Sequence, residues 1–475
     1  MSHRARVAAI VSVGVFVASL DLFIVNIAFP DIQRDFDGTS LASLSWVLNA
    51  YAIVFAALLV PAGRWADRTG RKRAFLGGLA LFTLASAACA AAPSVGVLVA
   101  ARIVQAAGAA ILTPASLGLL LPEFPPEKRG LAIGLWAAVG GTAAAAGPVI
   151  GGLLVELSWR WVFLVNVPVG IGAIVAGVRV LREVRDPDPA RPDLVGAGVL
   201  TAAVATLIAA IVEGPDWGWG DGRVVALFAA AVSLSAVFAW RSSHHPVPVV
   251  EPALLRVRAF AFSQAAGLFF FIGFSAMLLG SVLWLTEVWG ESAIGAGLKI
   301  APGPSMAALF AVAGGVLSGR IGPRAVGTVG SILFGLGGVW WATHLGAGEH
   351  YAADYLPGML IGGAGVGLVN PSLAGAATAQ LPPTRLATGS AVLTMSRQIG
   401  SALGVALLVA VLGTPAPSEV VDTFKDAWWM MAGAAALAAL SFAAVGPLVR
   451  HADETFAEEV EDALGSLGTP EVVVR

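Results

Sequence analysis

Groups able to move a proton are scarce in the apolar part of this sequence. Three ionisable side chains lie well inside long hydrophobic runs: Asp21, Arg102 and Arg397. A charge within hydrocarbon is expensive, so such groups usually face a protein interior or a water-filled path and mark ion or substrate routes. Asp21 is the one deep acid of the three, and so the one able to load and release a proton near neutral pH. Its functional reading is proton coupling or pairing with a cationic substrate; its bland reading is a structural partner for Arg102. Arg102 either sets the charge state of Asp21 or ties its helix to neighbouring carbonyls. Arg397 has no obvious acidic partner, and pairing with backbone carbonyls or contact with a substrate are both open to it.

A substrate cavity would need polar contacts and apolar walls. Asn26, Gln105, Asn370 and Gln398 are the candidate polar contacts. Trp136 and the phenylalanine-rich stretch around Phe270 supply rings that suit a flat or cationic molecule; in membrane helices such rings more often face lipid or neighbouring helices. Enzymatic and primary energy sources find no support. Lys72, Lys128, Lys299 and Lys425 are not in a P-loop context, the six histidines lack metal-site spacing, and no nucleophile-elbow motif occurs. Cys89 is the only cysteine, which excludes an intrachain disulfide and a cysteine-ligated metal cluster. The expectation is a transporter, not an enzyme, with no metal and no cofactor, driven by an ion gradient.

The elements that position these residues follow from composition. The 475 residues are 57% apolar and 12% charged, with 57 glycines and a mean hydropathy of +0.83. Soluble domains carry about 25% charged residues, so the chain reads as a polytopic membrane protein with the lipid bilayer as its solvent. A net charge of -2 gives no reason to expect a nucleic-acid partner. A span needs roughly 20 apolar residues, and fourteen runs qualify: 7–30, 45–62, 74–92, 95–121, 131–154, 162–180, 194–213, 223–240, 259–285, 297–317, 325–345, 355–379, 387–412 and 427–449. The first is too long for a signal peptide and is kept as a helix. Of the 28 basic residues, about 21 fall in the N-terminus and every second loop against about 5 in the alternate loops, so both termini are expected in the cytoplasm. Span 1 runs outward and span 4 inward; at 1.5 Å per residue Asp21 and Arg102 reach matching depth, roughly 20 Å from the inner boundary.

Two sequence echoes divide the chain. Gly63-Arg-Trp-Ala-Asp67-Arg68-Thr-Gly70-Arg71 is repeated in worn form by Gly315-Val-Leu-Ser-Gly319-Arg320-Ile-Gly322, and Pro125-Pro126-Glu-Lys-Arg129 by Pro382-Pro383-Thr-Arg385. Each pair is offset by about 250 residues, as related halves of a transporter are. The expected organisation is a six-helix bundle over 1–185, two inserted membrane helices with linkers over 186–245, a second six-helix bundle over 246–450, and an acidic cytoplasmic tail over 451–475.

These motifs carry a resemblance. Gly63 to Arg73 resembles the helix 2–3 loop signature of the major facilitator superfamily, and Arg102-Ile-Val-Gln105-Ala-Ala-Gly108 its helix 4 motif. Gly140-Gly-Thr-Ala-Ala-Ala-Ala-Gly147-Pro148-Val-Ile-Gly151-Gly152 is similar to the helix 5 motif of its antiporters. Leu20-Asp21 to Pro30, Trp159 to Pro168, and Arg397-Gln398-Ile-Gly400 resemble the 14-helix drug:proton antiporter branch. The helix 4 motif usually has Gly where Ala106 stands.

The resemblance implies an all-α major facilitator fold and alternating access. It implies a cytoplasmic gate built from Gly63, Asp67, Arg68, Gly70 and Arg71, with Asp67 favoured as an anion at a helix N-terminus. It also implies a rocking role for the helix 5 glycines, and proton-coupled efflux of hydrophobic drugs or natural products, cationic ones among them, by a monomer of the cytoplasmic membrane. The rivals are a proton-driven importer of a defined solute and a lipid or cell-envelope export factor.

Overall fold

The computed structural model describes residues 2–125, 129–185, 191–382, 385–416 and 418–446. The acidic tail, and residues 126–128 and 383–384 of the proline echoes, lie outside the described residues. Among the described residues seventeen α-helices run in order: α1 (His3–Asp35), α2 (Leu41–Thr69), α3 (Arg71–Ala90), α4 (Val95–Leu120), α5 (Arg129–Val155), α6 (Trp161–Leu164), α7 (Asn166–Val180), α8 (Leu194–Trp217), α9 (Gly222–His244), α10 (Pro252–Arg256), α11 (Arg258–Leu283), α12 (Ala293–Ile300), α13 (Pro302–Ile321), α14 (Pro323–His344), α15 (Leu356–Thr378), α16 (Leu386–Leu412) and α17 (Val420–Ala444). No strand occurs among the described residues. Among the described residues fourteen segments are long and apolar enough to cross a membrane, and they coincide with the fourteen apolar runs.

Side-chain caps start several of these helices: Ser2, Ser40, Ser94 and Ser292 each accept a backbone N–H from the first turn, which satisfies a donor that has no partner within the helix. Proline explains two breaks. The run 162–180 divides into α6 and α7 because Pro168, four residues beyond Leu164, has no N–H to continue the ladder. The run 297–317 begins at Ala293 and breaks at Ala301, before Pro302 and Pro304. The second run is longer than 45–62, because Gly63 to Thr69 form the last two turns of α2. What the hydropathy pattern makes a loop is therefore helix on both sides of one residue, Gly70. Its φ of 110° and ψ of 129° lie in a region that side chains rarely adopt. Gly322, its counterpart in the repeat, turns α13 into α14 with φ 90° and ψ 148°.

Helices α1 to α7 pack on one another, as do α11 to α17; α8 and α9 pair and dock through α8 on α2 and α16. Small residues let backbones meet. A Cβ at Gly78 of α3 would sit 2.9 Å from the Gly108 carbonyl of α4, and one at Gly365 of α15 would sit 2.5 Å from the Gly330 carbonyl of α14. The two groups of helices touch through α2 on α16, α5 on α12 and α13, and α1 on α11 and α12. Exposed Leu84, Val232, Val312 and Leu440 form part of the outer apolar surface.

Candidate functional site

Asp21 sits at the centre of a closed polar cluster. Its side chain is fully buried, and so is that of Arg102. Arg102 Nη1 donates to Asp21 Oδ2 and, at 2.6 Å, to Gln105 Oε1; its Nε donates to the Val47 carbonyl of α2 at 3.1 Å. Gln105 Nε2 donates to Asp21 Oδ1 and to Ser86 Oγ, each at 2.8 Å. Asn166 Nδ2 reaches Asp21 Oδ1 at 3.3 Å. The guanidinium lies 4.1 Å from the centre of the Tyr51 ring, a favourable face for a desolvated cation. Five helices, α1, α2, α3, α4 and α7, thus supply one site. The α6–α7 break is what sets Asn166 at the first position of α7.

Gln105, an expected substrate contact, is a member of this cluster and is fully buried. Asn26 points away from the cluster and donates to its own helix at Leu22. Ser86, Tyr51 and Asn166 join the site beyond the residues the sequence points to. Asn166 carried a signal in its motif, whereas Ser86 and Tyr51 look like any small or aromatic residue of an apolar run.

The helix 5 glycines lie along α1 beside Asp21. A Cβ at Gly140 would be 3.6 Å from Ser19 Oγ, at Gly147 2.8 Å from Phe23 Cβ, and at Gly151 3.0 Å from Ile24 Cγ1. Gly152 turns to the other group of helices, where a Cβ would lie 2.8 Å from Ile294 Cα; a Cβ at Gly297 would lie 2.4 Å from the Pro148 carbonyl. Helix α5 is therefore seated backbone to backbone on α12 at the end of the molecule opposite Gly70. Nearby, Lys299 bridges Glu291 and Glu349, and Asp35 accepts from Trp159 Nε1 at 2.9 Å and Arg160 Nη1 at 2.8 Å.

At the Gly70 end, Asp67 lies in the last turns of α2, not at a helix N-terminus. The expected dipole role is corrected accordingly: the anion at the start of α3 is Glu183, whose Oε1 accepts from the Lys72 backbone N–H at 3.0 Å. Asp67 Oδ1 accepts from Arg71 Nε at 2.8 Å, and Arg71 Nη1 donates to the Gly118 carbonyl of α4 at 3.0 Å. These bonds stay within the first group of helices. Gly63 brings α2 to 3.4 Å of Pro114, counted from a Cβ built there, and Arg68 is exposed. The tie across the groups is Glu251, held by Arg64 of α2 at 3.6 Å and by Arg385 just before α16.

In the second group Arg397 of α16 lies over the Phe271 ring at 4.4 Å and makes no carbonyl or carboxylate bond among the described residues. Phe270 is fully buried against Phe334, 4.9 Å between ring centres, so it packs the core and does not line a cavity. Trp136 Nε1 donates to Ser116 Oγ at 2.9 Å, tying α5 to α4. Asn370 donates to Val366 in its own helix, and among the described residues its Oδ1 is unpaired, as is Gln398 Nε2.

Comparison with known proteins agrees with this architecture. A solved peptide transporter of the POT family has a TM-score of 0.69 at 17% identity, covering 94% of this chain and 98% of that one. A D-xylose–proton symporter has a TM-score of 0.68 at 13%, covering 94% and 99%. In sequence, the chain is 35% identical over 430 residues to the tetracenomycin C resistance and export protein of Streptomyces glaucescens, covering 88% of this chain and 77% of that one. It is 36% identical over 403 residues to a puromycin resistance protein of Streptomyces alboniger, covering 82% and 78%, and 34% identical over 402 residues to the multidrug resistance protein Stp of Mycobacterium tuberculosis, covering 84% and 74%. The model of the Major Facilitator Superfamily matches residues 11–405. Fourteen membrane-length segments among the described residues, a buried acid–arginine site and a family match over most of its length make this chain a member of the Major Facilitator Superfamily.

Proposed function

We propose that this chain is a proton-driven exporter of drugs or natural products in the cytoplasmic membrane, working by alternating access as a monomer. The observation that carries the reading is the enclosed Asp21–Arg102 pair with Gln105 and Asn166, together with relatives whose names record resistance and export. A carboxylate paired with arginine in the interior is the empty state; adding a proton removes the charge that holds Arg102 and frees the helices it ties. Asp21 and Arg102 are thus assigned to proton coupling, and the helix 5 glycines to the surface on which the two groups rock.

The basic Gly70 end and both termini are assigned to the cytoplasm by the loop charge asymmetry. The seating of α5 on α12 then supports a state closed toward the outside, with substrate admitted from the cytoplasm. Asp67 with Arg71 forms the gate of that side, poised to engage the second group in the other state. The packing supports bundles over 1–185 and 246–450 with an inserted pair over 186–245.

The test is transport in everted vesicles with a panel of antibiotics and dyes, with and without a pH gradient. Gradient-driven accumulation in the vesicle lumen is expected. Movement of a solute only in the opposite direction identifies an importer and removes the reading.

A further inference from the structure

Arg397 is the one deep ionisable residue that the coupling site does not use. It differs from Arg102 in every respect that matters for a structural role. Arg102 places its N–H groups on a carboxylate, an amide and a carbonyl, whereas Arg397 has no hydrogen bond or ion pair among the described residues and lays its guanidinium over the Phe271 ring. It is half-buried, so its side chain remains reachable.

Its surroundings are placed by helix periodicity. Gln264, Gly267 and Phe271 recur at three- and four-residue spacing and share one face of α11. That face meets α16: Ser396 Oγ donates to Gln264 Oε1 at 3.0 Å, and a Cβ at Gly267 would be 3.9 Å from Arg397 Cγ. The missing side chain at Gly267 leaves the path along which the Arg397 stem lies. Gln264 Nε2 is buried without a hydrogen-bond partner among the described residues. The recess therefore offers a guanidinium and the Gln264 amide N–H, both donors, beside an aromatic face.

Buried donors need acceptors, and a guanidinium in a membrane interior needs an anion. The Phe271 ring continues through Phe274, 5.5 Å away, to Phe23 of α1 at 6.5 Å, two residues from Asp21. A flat molecule bound by its acidic group would lie along this strip and reach both groups of helices.

We propose that the recess between α11 and α16 binds the anionic group, a carboxylate or ionised phenol, of an aromatic export substrate, with Arg397 as its counter-charge. This rests on the exporter reading and narrows it, since the resemblance by itself pointed toward cationic drugs as readily.

The test uses one ring carrying three charges: anthracene-9-carboxylate, its carboxamide, and 9-(aminomethyl)anthracene. Binding is read by fluorescence on the purified full chain in detergent. The wild-type protein binds the carboxylate about tenfold or more tighter than the amine, as a charge-assisted hydrogen bond provides. Arg397→Gln removes that preference and leaves the carboxamide within about threefold, while Arg397→Lys keeps part of it. Preference of the wild type for the amine, equal or absent binding of the carboxylate, or full carboxylate affinity in Arg397→Gln overturns the proposal. The wild-type order alone decides the matter if a variant fails to fold. Transport gives a second reading: exchanging a monoanion for a proton moves two charges in the same electrical sense. Carboxylate uptake into everted vesicles therefore rises with an interior-positive potential set by potassium and valinomycin. Loss of all gradient-driven transport with the binding order intact strikes the exporter reading and leaves this assignment standing.

Discussion

Asp21 carries two jobs, a charge to balance and a proton to carry, and substitution separates them. Asp21→Asn keeps the shape but leaves Arg102 as an uncompensated buried charge, which costs about 3–5 kcal/mol when one partner of a buried pair is removed. Thermal unfolding in detergent is expected to begin several degrees lower, and gradient-driven efflux to fall to the level of empty vesicles, while substrate binding is retained. Asp21→Glu keeps partial transport. Adding Arg102→Gln to Asp21→Asn restores much of the stability without restoring transport, because the charge imbalance is repaired and the proton carrier is still absent. Full gradient-driven efflux by Asp21→Asn eliminates Asp21 as the carrier.

Helices act through how closely they meet and where they turn. At the α5–α12 contact a Cβ on Gly297 would lie 2.4 Å from the Pro148 carbonyl, and one on Gly152 2.8 Å from Ile294 Cα. Both obstacles are backbone, which cannot swing aside. Gly297→Val is therefore a wedge of about 1–3 kcal/mol placed in the state seen here and relieved when the helices part. It is expected to raise the labelling rate of a cysteine at position 294 by an external thiol reagent; an unchanged rate would show that this contact does not open. Asp67→Asn weakens the Arg71 tie of α2 to α4 without touching the deep site. Turnover is expected to slow severalfold with substrate affinity within about threefold, since conformational switching is what limits such steps; lost binding with normal turnover argues against a gate.

The whole molecule depends on how its parts are held and oriented. The α8–α9 pair is fastened at its base by Asp193, which caps α8 at Gly196 and takes a bidentate grip from Arg241. Burial pushes the Asp193 carboxyl up, and the Arg241 and Gly196 hydrogen bonds more than offset it, so it lies below its ordinary value of 3.8. A depressed carboxyl contributes stability that is fully present above the ordinary value and is lost as pH falls through the lowered one. Asp193→Asn keeps the cap and loses the ion pair. A loss of about 1–3 kcal/mol is expected from the Arg241 pair, vanishing in strong acid; a loss that appears only above neutrality contradicts the pairing. Orientation is checked with cysteines at 69 and 219 after replacing Cys89, which is buried. A membrane-impermeant reagent added to whole cells should label 219 and spare 69, and the reverse pattern inverts the assigned topology.

The amino-acid order by itself determined the number and place of the spans, because a helix in lipid must satisfy its own backbone and its apolar length is a one-dimensional property. It also determined that Asp21 and Arg102 lie at one depth, since helical rise turns residue number into height. Which faces meet was not legible. A membrane helix is apolar toward lipid and toward its neighbours alike, so hydropathy does not say that Phe270 packs the core while Phe271 underlies Arg397. Nor could spacing bring Asn166, 145 residues away, onto Asp21, or Glu183 onto the start of α3, 111 residues from Lys72. Those pairings depend on how the helices pack against one another, and that is decided only when the small residues of distant helices fit together.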